Sequence, residues 1–183
     1  MLKWIARRQL DAFERTFDYD ASYMREMLDT SWRGFMRFSA ITKLAAYRED
    51  VPRDAWHAAK LVATIAEDCG PCTQLGVNMA EAAGVPSSVL RGVLTDDETL
   101  MGSDVTLAVR FARAAMAHDQ AADDLRERII GRWGERALLS LALAMTATRV
   151  FPAVKYALGH GKACSRVRVG NTDALPVRVA TAT

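Results

Sequence analysis

The chain has 183 residues, enough for one domain with a sizeable core. Half of it is hydrophobic, a quarter is charged, and the formal net charge is +2. That balance gives no case for nucleic acid as a partner.

Taken in chain order, nearly everything reads as helix. Leu2 to Phe17 has helical periodicity, with Trp4, Ile5, Leu10, Phe13 and Phe17 at or near three- and four-residue spacings. Lys3, Arg7 and Arg8 are followed by Asp11 and Glu14 before any apolar segment forms, so no secretory signal is expected and the reading is cytoplasmic. Asp18-Tyr19-Asp20 interrupts the pattern, and a second helical stretch covers about Ala21 to Arg48. Its aromatics Trp32, Phe35, Phe38 and Tyr47 suit one packed face, and Met24, Met27 and Met36 suit core filling or subunit contact.

Pro52 fits the first turn of a helix that continues to about Glu67, and another helix follows Cys69-Gly70-Pro71-Cys72 until Gly84 ends it. A short helix from Pro86-Ser87-Ser88 to about Val93 precedes a loop at Thr95-Asp96-Asp97. Ser103 can cap the next helix, with Leu107, Ala108, Phe111, Ala114 and Ala115 inward. His118, before Asp119, falls at a helix end, where a dipole contact explains it better than catalysis. Asp119 to about Gly159 gives the last helices, broken or bent near Gly131–Gly134 and at Pro152. The apolar run Ala137–Thr148 is shorter than the roughly 20 residues that span a bilayer, so it reads as a buried helix; a membrane-surface role is the alternative. In the tail, Val167, Val169, Val177 and Val179 could form a small hairpin or an arm on a neighbouring subunit. Cys164 reads as an isolated thiol that could exchange with the pair if the tail folds over it.

The chemistry is concentrated at the cysteine pair. Two cysteines three residues apart can close a disulfide on a helix's first turn, where Gly70 permits tight geometry and Pro71 is pre-set for helix. Free N–H groups and the helix dipole lower the pKa of a thiolate there, and the thiolate is the species that attacks peroxides and disulfides. The second thiol can then resolve a sulfenate or a mixed disulfide. Three cysteines without an export signal suit a reducing compartment. A thioredoxin-like unit would need a strand before the pair, whereas Trp56–Ala66 reads as helix. Zinc would need two more ligands than the pair supplies, and Thr73 stands where a haem-attachment motif needs histidine. Two cysteines that merely pack remain an alternative.

The helix before the pair is apolar on most sides, with one polar stripe of His57, Lys60, Thr64 and Glu67. The stripe faces solvent, or else it lines a polar cavity ending at Cys69. In the second case His57, Lys60 and Glu67 are candidate proton carriers.

Cys69-Gly-Pro-Cys72, then Ala80, then Ala83-Gly84-Val85-Pro86, resembles the alkylhydroperoxidase D / carboxymuconolactone decarboxylase family. The likeness continues through Leu107–Met116 and Leu138–Leu158 and leaves out the first 50 residues and the tail. It implies an all-α helical bundle of that type over residues 51–160, with an N-terminal helical extension over 1–50 and a tail over 161–183. It also implies a homo-oligomer; no cofactor and no metal are expected. The family's peroxidases place a glutamate twelve residues before the first cysteine and a histidine four after the second; here those positions hold His57 and Gly76. If the two helices fold back on each other, His57 is expected in the space Gly76 vacates, with Glu67 as the fallback base. The reading is a thiol oxidoreductase with Cys69, Cys72, His57 and Glu67 at its site, acting on a peroxide or disulfide with an unknown thiol donor. The alternatives are a cofactor-free decarboxylase-like enzyme and a non-catalytic binding protein.

Overall fold

The computed structural model describes residues 2–162 and 166–177. Among them are nine helices and one two-stranded hairpin, an all-α bundle. Cys164 and Val179 lie outside the described residues.

α1 (Leu2–Phe17) buries Ala6 and Leu10 and turns Trp4 and Ile5 outward, so its inward stripe is set one position away from the bulkiest residues. Phe13 and Phe17 continue that stripe onto the aromatic cluster below. The second expected helix is two helices, α2 (Ser22–Thr30) and α3 (Trp32–Ala45). Ser31 stands between them in extended backbone and caps α3 by accepting from the Gly34 amide.

α4 (Arg53–Ala66) is the central helix. Ala58, Ala59 and Ala63 are completely buried, and side chains this small let neighbours approach from several sides. α5 (Gly70–Ala82), α7 (Glu98–Ala117) and α9 (Glu135–Ala157) do so. α6 (Ser87–Thr95) and α8 (Ala121–Trp133) close the layer around α7. The main core contains Leu61, Val77, Leu90, Ile129 and Leu141, each of whose burial stabilises the fold by about 1.5–3 kcal/mol. A second core joins α1, α2 and α3 to Leu75 and to Val150, Phe151 and Val154 of α9.

α7 begins earlier than Ser103 suggests, because Asp97 accepts from the Thr99 amide and caps it. Gly102, at φ 71° and ψ 165°, kinks the helix just before Ser103. Gly134, at φ 88°, separates α8 from α9, while Pro152 is absorbed within α9. By length and composition α9 could cross a membrane, but here it packs against α3, α4, α7 and α8. β1 (Val167–Val169) and β2 (Thr172–Ala174) form the small hairpin, with Val167, Val169 and Ala174 buried against α5 and α6. Val177 continues past it and donates its amide to the Leu94 carbonyl.

Candidate active site

α4 and α5 are joined by Glu67, Asp68 and Cys69. Asp68 takes a left-handed conformation (φ 50°), which aspartate tolerates better than most residues, and this reverses the chain. Cys69 is the N-cap of α5, and Cys72 falls in its first turn. The two are joined as a disulfide, with Cα atoms 5.2 Å apart. Thr73 fixes the turn by donating both its amide and its hydroxyl to the Cys69 carbonyl, at 2.9 and 3.0 Å. Cys69 is fully buried and Cys72 is 5 % exposed. A dithiol/disulfide couple at a helix N-terminus is compatible with redox chemistry.

Glu67 lies beside the pair in sequence and is ion-paired with Arg149 of α9 at 2.5 Å. Its carboxylate is thus committed to joining α4 to α9. His57 lies at the opposite end of α4. The atoms facing Gly76 are Leu61 Cδ1 and Thr64 Oγ1, which would stand 3.4 and 3.9 Å from a Cβ placed there. Leu61 is one helical turn beyond His57, so the gap is filled from α4 by a leucine and a threonine. The expected meeting of His57 with Gly76 is therefore replaced by ordinary helix packing. Nor does the polar stripe form one cavity: Thr64 is buried with its hydroxyl on the Leu61 carbonyl, and Lys60 lies over the Trp56 ring, 4.0 Å from its centroid.

The His57 ring meets Trp56 edge-on, with centroids 4.9 Å apart. Burial, aided by the charges of Lys60, Arg48 and Arg53, pushes its pKa down from 6.5 to about 4. Burial likewise lowers Lys60 to about 8. At neutral pH the imidazole is uncharged and too weak a base to cycle a proton efficiently. A depressed histidine makes the unfolded chain the better proton binder between those two values, so stability falls as pH drops from 6.5 towards 4. For a partly exposed ring the expected loss is about 1–2 kcal/mol. Urea midpoints at pH 7 and pH 4.5 measure it, and His57→Gln should flatten the difference. An unchanged pH slope in that variant would assign the effect elsewhere.

Signals that sequence reasoning missed surround the other end of the pair. Lys162 accepts a hydrogen bond from the Gly70 amide at 3.1 Å, and the Tyr156 hydroxyl donates to the Asp68 carbonyl at 2.8 Å. His160 Nε2 lies 2.7 Å from Glu26 Oε2. The Gly159-His160-Gly161 run is the one local signal that could mark a turn there. Lys155 is buried with its amine 3.3 Å from the Tyr19 hydroxyl and over the rings of Tyr19 and Tyr23. Burial lowers its pKa.

A groove of about 440 Å³ opens beside the Gly102 kink, lined by Pro52, Arg53, Asp54 and residues 101–105. It lies at the far end of α4 from the cysteines. Among the described residues no cluster of His, Cys, Asp and Glu could hold a metal ion. No family model, no curated protein and no solved structure matches the chain.

Proposed function

We propose that the protein is a thiol-dependent oxidoreductase of the alkylhydroperoxidase D type, cycling Cys69 and Cys72 between dithiol and disulfide. The observation that carries this reading is the bridge itself, closed across the first turn of α5. A bridge closing so short a loop restrains the unfolded chain by only about 2 kcal/mol, little beside what a cross-link between distant elements gives. Its placement at a helix N-terminus suits a thiol that must ionise.

In the peroxide reaction one thiolate attacks the distal oxygen, the O–O bond breaks, and a sulfenic acid and an alcohol or water form. The other thiol then displaces hydroxide from the sulfenic sulfur, giving the disulfide and water. An external thiol donor restores the dithiol. The resemblance also implies oligomerisation, and the exposed Leu2 and Trp4 on α1 suit a subunit contact.

The burial of both sulfurs favours a second reading, a structural bridge in a non-catalytic protein. One equivalent of peroxide added to the reduced chain separates the two. The expected result is rapid loss of two thiols, a mass lower by two hydrogens, and a Cys69–Cys72 peptide that dithiol reagents release. Survival of both the Cys69 and the Cys72 thiols after the peroxide would remove the redox reading.

A further inference from the structure

The four residues Gly159–Lys162 lie across the start of α5, and several independent contacts hold them there. The Gly70 amide donates to the Lys162 carbonyl at 3.1 Å, a bond made within the cysteine motif. The His160 amide donates to the Lys155 carbonyl at 2.9 Å, and its ring is paired with Glu26 of α2. Gly161 lies so close to the Tyr156 ring that a Cβ there would overlap it, and that tyrosine is bonded to Asp68. Gly159, at φ 81°, turns the chain out of α9 and into this strap.

Beyond the strap, the hairpin is fastened to α5 more firmly. Gln74 both donates to the Arg168 carbonyl and accepts from the Arg168 amide, at 2.9 and 2.7 Å. Glu81 accepts from the Gly170 amide at 2.8 Å, and Val167 and Val169 are fully buried beneath.

Thiol–disulfide exchange requires the attacking sulfur to reach one sulfur of the bridge directly. With Cys69 fully buried and Cys72 5 % exposed, the closed arrangement offers no such approach. Resting on the oxidoreductase reading above, we propose that the strap Gly159–Lys162, latched by His160 to Glu26, determines the specificity of the pair by admitting small thiols and peroxides and excluding protein dithiols. A small reagent needs only the strap to lift. A protein partner needs the hairpin to leave as well, together with its side-chain clamps and buried valines. Glu26 and His160 are in this sense positioning residues, acting through the strap.

In the reduction a reductant thiolate attacks one sulfur and the Cys69–Cys72 bond breaks. The reductant's second sulfur then displaces the protein sulfur from the mixed disulfide. Two electrons pass to the pair, the reductant leaves as its own disulfide, and the two protons it released are taken up by the protein thiolates.

The test uses the oxidised full chain and follows reduction of its Cys69–Cys72 bridge by dithiothreitol and by a thioredoxin-type protein dithiol. In the parent, dithiothreitol is expected to react at least tenfold faster per thiolate than the protein dithiol. Glu26→Ala, which frees the latch, should accelerate dithiothreitol at least threefold. Glu26→Gln, whose carbonyl can still accept from the imidazole, should react at close to the parental rate. Tyr156→Phe removes the hydroxyl bonded to the Asp68 carbonyl and so frees the ring against which Gly161 of the strap packs; it should also accelerate reduction, with little risk to folding. Parental rates in both Glu26→Ala and Tyr156→Phe, or a protein dithiol that matches dithiothreitol in the parent, would overturn the proposal. Re-oxidation by peroxide is scored separately: its failure in every variant would refute the oxidoreductase reading, while the reduction rates would still decide the strap.

Discussion

Serine in place of either Cys69 or Cys72 is expected to abolish sustained peroxide consumption, leaving no more than one equivalent consumed per chain, while keeping the helical fold in place. Each substitution removes the bridge, and with it only the modest restraint on the unfolded chain of about 2 kcal/mol that so short a loop supplies. The remaining thiol can still be oxidised once, and with Cys164 also replaced by serine the chain holds no thiol to resolve its sulfenic acid. A single turnover without recovery is therefore the expected kinetic pattern, read by peroxide loss against enzyme concentration. Circular dichroism and a urea titration of the same variants give the control. Collapse of the fold in both would identify the bridge as structural.

The largest stability effect is expected at Gly92→Ala. Gly92 lies in α6 where the start of α7 crosses it. A Cβ there would stand 2.8 Å from the Asp97 carbonyl oxygen and 2.9 Å from Leu100 Cβ. The Asp97 amide is itself bonded to the Gly92 carbonyl, so the two backbones cannot separate without losing that bond. Overpacking against backbone rather than a flexible side-chain end should cost about 2–3 kcal/mol, lowering the melting temperature by roughly 5–10 °C. Gly131→Ala provides the internal comparison. It sits in α8 with open space around it and should stabilise by up to about 1 kcal/mol through helix propensity. Equal melting temperatures for the two variants would show that α6 and α7 can slide apart at little cost.

The helices were legible wherever a local signal marked their ends. Phe17 before Asp18-Tyr19-Asp20, Pro52, Gly84 and Gly134 each coincide with a boundary or lie within a residue or two of one. Ser31 does not stand out as a break because the apolar residues on either side keep a helical spacing across it; only its extended backbone and its bond to Gly34 show the cap. The cysteine pair was equally legible, since a disulfide across three residues and a helix start are both local properties. What surrounds the pair was not. Which side chain faces Gly76 depends on how α5 leans on α4, and that angle is set by packing among α4, α7 and α9. His57 had the right chemistry and the right stripe but stands a turn too early, where Leu61 takes the contact. The His160–Glu26 pairing spans 134 residues of sequence and carried no local pattern to announce it.

The order in which the chain is made gives the covering hairpin a further meaning. Gln74, two residues beyond Cys72, is synthesised 94 residues before Arg168, the strand residue it holds. At ~5–20 residues per second, roughly 5–20 s pass between the two. During that interval the first turn of α5 exists without its lid, and the thiols meet whatever oxidants and small thiols surround the ribosome. On the strap proposal, the pair is thus open during synthesis to larger partners than the finished fold admits afterwards.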